Sequence, residues 1–252
     1  MPSPLKPLSW YKKLASKRGR LKSGAFIVEG ERAIRQIAEN KPAEIIEFLT
    51  TGDLPAVFSN YPVRQLTESQ FHSISQTKTP QGIMAIVRLP SEIYSTDLPA
   101  DTGKRVLLLE DIQDPGNVGT LIRTAAAFDF SGIIMTENCA DPLAPKTVQA
   151  TAGAALSLWI RRTDSYLELA ATLKKDGYSL IAADLNGNAS PDILREQKKL
   201  VLALGNEAAG LSRAMLKMAG YRLKIPVVGR KAESLNVAAC GAICMYLSTS
   251  PV

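Results

Sequence analysis

The second half of this chain alternates short apolar runs with helical patterns, and this alternation constrains the fold more than any other feature. Six runs of four or five residues recur, at 106–109, 132–135, 157–160, 179–183, 200–204 and 221–225. Runs of this length are typical of strands that are covered on both faces. Strands that alternate with helices predict an α/β fold with a mainly parallel sheet and helices on both of its faces.

Three polar loops follow strand-like runs in this half of the chain. They span residues 114–123, 204–212 and 225–236, and each is rich in glycine, asparagine or serine and leads into a helical pattern. Open α/β sheets bind ligands in loops at the ends of their strands. Three such loops in one domain therefore predict a built ligand site.

The first 95 residues carry a different pattern. A basic helix is expected from about residue 9 to residue 23, followed by strands at 25–28, 44–49 and 82–87 with helices between them. Residues 89–103 are polar and rich in turn formers, which marks a domain boundary. We therefore predict two domains, 1–95 and 96–252, of which the first is a small α/β domain.

The excess of positive charge lies in the first domain. The chain has a net charge of +6, and residues 1–95 hold 13 lysines and arginines against 8 aspartates and glutamates. Six cations crowd into eleven residues: Lys12, Lys13, Lys17, Arg18, Arg20 and Lys22. Such a cluster favours a polyanion through counterion release, although a solvated basic helix accounts for it equally well.

Several common kinds of site lack their residues in this sequence. The single histidine, His72, has no partner motif, and three cysteines offer too few ligands for a zinc site. Neither the Walker phosphate loop nor the Gly-x-Gly-x-x-Gly turn occurs. We expect no metal, and we expect Cys240 and Cys244 to be buried thiols. No apolar stretch approaches the ~18–20 residues of a membrane span, and no secretory signal pattern opens the chain, so we expect no membrane partner and a cytoplasmic location.

The last helical pattern, residues 235–247, is apolar nearly all round. A helix of this kind is expected to be buried on every face. In a domain of this size, such burial indicates a subunit interface. We therefore expect a homodimer.

Taken together, the three loops resemble the motifs of the SpoU (TrmH-like) RNA ribose methyltransferases of the SPOUT superfamily. The family's Asn-x-Gly-x-x-x-Arg pattern is matched at Asn117, Gly119 and Arg123, and its Gly-x-Glu-x-x-Gly pattern at Gly205, Glu207 and Gly210. The third loop shares Ile225, Pro226 and the segment 234–237 with the family. Residues 12–90 are similar to the family's substrate-binding domain, and segments 26–31 and 79–82 carry this similarity. That domain in turn resembles a ribosomal-protein-like RNA-binding fold.

The resemblance implies methyl transfer from S-adenosylmethionine to a ribose 2′-hydroxyl, in a fold with a C-terminal trefoil knot. It implies catalytic roles for Asn117, Arg123, Glu207, Ser234 and Asn236. It implies cofactor-binding roles for Leu204, Gly205, Asn206, Ile225, Val227, Gly229 and Leu235. The basic residues of the first domain are then expected to bind RNA. We expect the substrate to be ribosomal RNA in preference to transfer RNA. A transfer-RNA ribose methyltransferase and a non-catalytic RNA-binding or assembly factor remain as alternatives.

The chemistry of the guanidinium group restricts the role that Arg123 can have. A guanidinium stays protonated in proteins, which argues against removal of a proton by this side chain. A fork that grips the phosphate beside the target ribose suits it better. Pairing with Asp114 or capping of its own helix is the competing structural role. Asn117 is expected either to hold Arg123 or the ribose, or to cap its own helix, and Glu207 to order Asn117 or Arg123, or to accept a proton.

Two features depart from the family pattern. Asp129 stands where the family commonly has glycine, and the segment 230–233 is one residue longer than usual. The longer segment bears on how Leu235 meets the cofactor.

Overall fold

The computed structural model describes residues 6–228 and 233–249, and packing divides the chain into two compact units. The first unit extends to Ser91 and includes Asp141–Ser157, and the second comprises Glu92–Ala140 and the residues from Leu158 onward. The expected division after residue 95 differs from this partition in one main respect. The segment Asp141–Ser157, far away in sequence, packs within the first unit because its helix contacts the first strand of that unit.

The first unit is a four-stranded sheet with helices. Its strands are β1 (Ala25–Glu29), β2 (Ile45–Thr50), β3 (Val63–Gln65) and β4 (Ile83–Arg88), in the order β1-β4-β2-β3. β4 pairs antiparallel with β1 and with β2, and β3 joins β2 in parallel. The helices are α1 (Leu8–Lys13), α2 (Lys17–Ser23), α3 (Glu31–Asn40), α4 (Glu68–His72) and α6 (Pro145–Thr151).

The prediction of one basic helix over residues 9–23 is wrong, because the chain forms two helices there. Ser16 adopts an extended conformation and its hydroxyl accepts a hydrogen bond from the N–H of Gly19, which caps α2. Serine competes well for this capping position, and an extended residue cannot continue a helix. Gly24, with φ +61°, ends α2 in the left-handed conformation that favours glycine.

The second unit is a six-stranded sheet in which every pairing is parallel. Its strands are β5 (Arg105–Leu109), β6 (Gly132–Met135), β7 (Trp159–Arg162), β8 (Ser179–Ala183), β9 (Leu200–Leu204) and β10 (Tyr221–Leu223), in the order β10-β8-β9-β5-β6-β7. The helices are α5 (Pro115–Ala127), α7 (Tyr166–Lys175), α8 (Arg213–Met218) and α9 (Val237–Leu247). The predicted α/β fold with a parallel sheet is confirmed, and all six apolar runs contribute strands.

Helix α9 lies against α5, which begins within the first loop, and against β9, which leads to the second. A Cβ atom at Gly241 would lie 2.4 Å from Cδ2 of Leu121 and 2.8 Å from Cδ1 of Leu204, so a larger residue at this crossing would have to displace these two side chains. The opposite side of α9 is open: Ile243 is 38% exposed and Tyr246 is 62% exposed. The expectation that this helix is buried on every face is therefore wrong for the single chain. Apolar residues lie on all sides of the helix, but the domain does not cover the side that bears Ile243 and Tyr246.

In the parts of the chain that the structure describes, no helix is both long and apolar enough to cross a membrane.

Candidate functional site

A cavity of about 320 Å³ opens at the carboxyl ends of β8, β9 and β10. Six of the seven predicted cofactor residues line it: Leu204, Gly205, Asn206, Ile225, Val227 and Leu235. The seventh, Gly229, lies outside the described residues, as do residues 230–232 of the segment expected to be longer than in the family. The second and third loops thus share one cavity, because β9 and β10 lie on either side of β8 and all three strands end at the same edge of the sheet.

Sequence reasoning missed one wall of this cavity. Residues 183–186, which comprise the last residue of β8 and the three that follow it, line it alongside the two predicted loops, and so does Cys240 of α9. The available signal was the polar run Asp-Leu-Asn-Gly-Asn directly after a predicted strand. It has the same position at a strand end as the three loops, but it matches no part of the family motifs.

The β9–α8 loop, residues 205–212, has a closed conformation that its residues specify. Asn206 and Gly210 exchange backbone hydrogen bonds of 3.1 and 2.9 Å, and Oδ1 of Asn206 accepts from the N–H groups of Ala208 and Ala209. A Cβ atom at Gly205 would lie 2.3 Å from the carbonyl carbon of Gly210, and Gly210 has φ +69°. Both motif glycines are therefore required by the backbone itself.

The described lining of the cavity is negatively charged. It contains two carboxylates, Asp184 and Glu207, and no lysine or arginine. Asp184 is partly neutralised, because its Oδ2 accepts from Nε of Arg222 at 2.7 Å and lies 2.6 Å from Nη2. A cavity of this character suits a ligand with positive charge and apolar parts.

A chain of hydrogen bonds joins the three predicted motifs beside the cavity. Nδ2 of Asn117 donates to Oε1 of Glu207 at 2.8 Å, and Nδ2 of Asn236 donates to Oδ1 of Asn117 at 3.1 Å. Oδ1 of Asn236 also caps α9 by accepting from the N–H groups of Ala238 and Ala239. Each amide group is thereby held in one orientation, with its oxygen and its nitrogen both used.

Helix α5 is capped by Asp114, and the alternative that Asn117 caps it is wrong. Oδ1 of Asp114 accepts from the N–H of Asn117 at 2.7 Å, with Pro115 as the first helical residue. Aspartate and proline are favoured at these two positions. The Asn117 side chain is therefore free to contact Glu207 and Asn236.

Arg123 lies on α5 about two turns beyond Asn117 and is exposed. Within residues 6–228 and 233–249, no hydrogen bond or ion pair holds its guanidinium, and the alternative of pairing with Asp114 is not realised. Ser234 is exposed and lines the cavity, whereas Asn117 and Asn236 stand beside it. The five predicted catalytic residues thus divide into a hydrogen-bonded trio, a serine in the cavity wall and a guanidinium that is available to a ligand.

Asp129, which replaces the family's usual glycine, adopts φ +55° just after α5 ends. This left-handed conformation explains why glycine is common at the position. Aspartate tolerates it better than most side chains do. The departure therefore leaves the helix end intact.

The cysteines differ in environment. Cys139 and Cys244 are buried, and burial raises the pKa of Cys139. The hydrogen bond between Cys240 and Cys244 lowers the pKa of Cys240 and, together with burial, raises that of Cys244. The expectation of a buried thiol holds for Cys244, whereas Cys240 is only half-buried and faces the cavity.

Of the six cations in the basic cluster, five are exposed and Arg20 is not. Lys12, Lys13, Lys17, Arg18 and Lys22 lie on the surface of α1 and α2. Arg20 is 2% exposed, its Nη2 pairs with Asp141 at 2.6 Å, and its Nη1 donates to the carbonyls of Leu14 and Ala15. The assignment of Arg20 to RNA binding is therefore withdrawn, because its guanidinium holds the end of α1 and the segment 141–157 together.

Across the described ranges, no group of three or more histidine, cysteine, aspartate or glutamate side chains is arranged to hold a metal ion.

The chain matches known proteins over nearly its whole length. Residues 104–246 match the SpoU rRNA Methylase family and residues 9–85 match the MRM3-like substrate binding domain. A 23S rRNA (guanosine(2553)-2′-O)-methyltransferase of Bacillus subtilis is 32% identical over 241 residues, which cover 94% of this chain and 93% of that protein. A solved structure from Porphyromonas gingivalis, described as an RNA methyltransferase of the TrmH family, is 29% identical with a TM-score of 0.82 and covers 98% of this chain and 99% of that one. An AdoMet-bound rRNA methyltransferase from Sinorhizobium meliloti is 27% identical with a TM-score of 0.81, covering 96% and 93% of the two chains. With its three motifs joined beside one cavity and these matches along its length, the chain belongs to the SpoU rRNA methylase family.

Proposed function

We propose that this protein transfers the methyl group of S-adenosylmethionine to a ribose 2′-hydroxyl of ribosomal RNA. Membership of the SpoU rRNA methylase family supports the reaction class. The name of the Bacillus subtilis relative supports ribosomal RNA and the 2′-oxygen. The AdoMet-bound relative from Sinorhizobium meliloti supports the donor.

The cavity fits this donor by its chemistry. S-adenosylmethionine supplies a methyl group that is already activated by a sulfonium, and it carries positive charge beside an apolar ring. Asp184 and Glu207 supply negative charge in the cavity wall, and Leu204, Ile225 and Leu235 supply apolar surface. The backbone groups of the closed β9–α8 loop offer hydrogen bonds at fixed positions. Gly229 remains a proposed cofactor residue on the family pattern alone.

The observation that carries the proposal is the hydrogen-bonded chain from Glu207 through Asn117 to Asn236. It fixes α5, which bears Arg123, against the wall of the donor cavity. Methyl transfer requires the hydroxyl and the donor to be held in line, and orientation alone contributes several kcal/mol to such a reaction. Glu207 then acts by ordering Asn117, since its Oε1 accepts that amide.

In this proposal Arg123 binds the RNA substrate. Its exposed guanidinium grips the phosphate beside the target ribose as a two-pronged donor and so stabilises negative charge that develops on the 2′-oxygen. Ser234, in the cavity wall, contacts the ribose or the donor. No step in this scheme requires an arginine to lose its proton.

The exposed cations of α1 and α2 supply the electrostatic contact with RNA. Lys12, Lys13, Lys17, Arg18 and Lys22 present positive charge within eleven residues of sequence. Phosphate contacts of this kind position an RNA without selecting its sequence. The match of residues 9–85 to a substrate-binding domain supports this assignment.

We further propose a homodimer, a C-terminal trefoil knot and a cytoplasmic location. The open apolar side of α9, with Tyr246 and Ile243 exposed, supports a second copy as its cover. The family resemblance alone supports the knot. Ribosomal RNA as the substrate supports the location. The two domains of the proposal are the N-terminal substrate-binding domain and the methyltransferase domain, which begins near residue 96.

The test is methyl transfer from labelled S-adenosylmethionine to separated RNA fractions from cells that lack the protein. We expect label in ribosomal RNA and little label in transfer RNA. Label confined to transfer RNA would favour the alternative of a transfer-RNA enzyme. RNA binding without any transfer, to naked RNA or to ribosomal particles, would favour a non-catalytic factor.

A further inference from the structure

The β9–α8 loop is fastened at both ends to two consecutive residues that follow β5. At its start, Nδ2 of Asn206 donates to the carbonyl oxygen of Asp111 at 2.8 Å. At its end, the backbone N–H of Ser212 donates to Oε2 of Glu110 at 2.8 Å. Neither Glu110 nor Asp111 belongs to the three motifs recognisable in the sequence.

Glu110 is a buried carboxylate whose two oxygens are both in use. The side chain is 4% exposed, and its Oε1 accepts the hydroxyl of Tyr166 at the start of α7. Burial and the bond to Glu110 raise the pKa of Tyr166 to about 12, so the phenol remains a donor throughout the working pH range. Glu110 is not part of the cavity lining. It therefore acts on the cavity through the loop and not on a ligand.

Asp111 is held in a conformation that few residues other than glycine adopt. Its φ is +57°, a region that costs most L-residues about 1–2 kcal/mol. Thr136 stabilises it twice, because Oγ1 accepts from the N–H of Asp111 at 2.9 Å and donates to Oδ1 at 2.6 Å. The carbonyl oxygen of Asp111, which accepts the hydrogen bond from Nδ2 of Asn206, thus belongs to a tightly fixed segment of backbone.

We propose that Glu110 is a positioning residue for the methyl donor. By holding the N–H of Ser212 it fixes the end of the β9–α8 loop, while Asp111 fixes the start, and the loop is thereby ordered before the donor binds. A preordered loop loses less conformational freedom on binding, which raises affinity. The inference rests on the proposed function, since it takes the cavity to be the site of S-adenosylmethionine.

Replacement of Glu110 tests this role by calorimetry with S-adenosylmethionine and by steady-state kinetics. Glu110→Ala leaves Ser212 and Tyr166 without their acceptor, and we expect the Kd for the donor to rise by about 10- to 100-fold. The kcat at saturating donor should change by less than about threefold, because bound donor restores the loop. Glu110→Gln should restore binding to within about threefold of wild type, since its oxygen still accepts from Ser212 and its nitrogen can donate to Tyr166.

Tyr178→Phe is the matched control, because it removes the polar group of another buried side chain of the same unit, a hydroxyl that contacts Thr102 and Gly103 and not the loop. It should lower thermal stability without changing donor affinity. The inference is overturned if wild type and Glu110→Ala bind the donor equally, if Glu110→Gln is as weak as Glu110→Ala, or if Tyr178→Phe weakens binding as much. A wild-type protein that binds no S-adenosylmethionine would instead overturn the proposed function itself.

Discussion

The side-chain amide of Asn117 donates a hydrogen bond to Oε1 of Glu207 at 2.8 Å, although the two residues lie 90 positions apart. The contact joins the first turn of α5 to the wall of the cavity. Because Asn236 donates to the same Asn117 side chain, the starts of α5 and α9 are fixed to the β9–α8 loop by one amide group. The helix that carries Arg123 is therefore aligned with the cavity by three side chains.

Asn117→Asp should break this alignment while the fold persists. An aspartate cannot donate to Glu207 and places a second carboxylate against it, whereas the bond that is removed lies at the surface and contributes little to stability. We expect methyl transfer to fall by about 10- to 100-fold with little change in Tm. Gln113→Glu, which adds the same charge at a neighbouring exposed position, serves as the control and should retain activity. Equal activity in the two variants would show that the bond is incidental.

Arg123→Ala should separate donor binding from transfer. We expect transfer to RNA to fall by about 10²- to 10³-fold, the usual effect of removing a donor that stabilises developing charge. Affinity for S-adenosylmethionine should stay unchanged, since Arg123 does not line the cavity. Arg123→Lys should recover only part of the activity, because an ammonium lacks the two-pronged geometry. Arg213→Ala, at another exposed arginine of this unit, is the control, and a fully active Arg123→Ala protein would refute the role.

Most of the second unit was predictable because its sheet is parallel and buried. Strands such as β5 and β9 are continuous apolar runs, which are easily recognised, and polar loops must follow at their ends. Loop 204–212 was recognisable by glycines that the backbone requires. The first unit was harder, since one serine, Ser16, divides a helix that charge and periodicity suggested was continuous.

What the sequence did not reveal depends on contacts between distant residues. The burial of Arg20 requires Asp141, which lies 121 positions away, and nothing near Arg20 in sequence distinguishes it from its exposed neighbours. The same holds for the cavity wall formed by residues 183–186 and for the hydrogen bond by which Glu110 holds the β9–α8 loop. Both depend on which strands become neighbours in the sheet. Strand order is set by tertiary packing, which local patterns do not encode.

Cys240 should report occupancy of the cavity. Its pKa is lowered by the bond to Cys244, and it is half-buried and faces the cavity, so alkylation should begin at lower pH than for an ordinary thiol. We expect iodoacetamide to label Cys240 in the native protein ahead of Cys139 and Cys244. Saturating S-adenosylmethionine should slow this labelling, as followed by peptide mass spectrometry, and Cys240→Ser should remove it. Labelling that the donor leaves unchanged would place the donor elsewhere.

The basic helices should contribute a salt-dependent part of RNA affinity. Replacing Lys12, Lys13, Arg18 and Lys22 by glutamine should weaken RNA binding and reduce the slope of log Kd against log salt by about 0.7–0.9 for each RNA phosphate that is no longer neutralised. A matched set of exposed cations in the second unit, Lys175, Arg195, Lys198 and Lys217, should have a smaller effect. Arg20→Gln should instead lower stability, by about 3–5 kcal/mol for a broken buried pair, without a specific change of slope. Equal slopes for both quadruple variants would show that α1 and α2 do not face the RNA.

The position of the transferred methyl group distinguishes methylation of a ribose from methylation of a base. Ribosomal RNA methylated with labelled S-adenosylmethionine by the wild-type protein is hydrolysed in alkali, which cleaves the chain at every free 2′-hydroxyl but not at a 2′-O-methylated ribose. We expect the label in alkali-resistant dinucleotides at a defined site, and we expect Arg123→Ala to yield little of it. Label released as methylated mononucleotides marks a methylated base and would contradict transfer to a ribose 2′-hydroxyl.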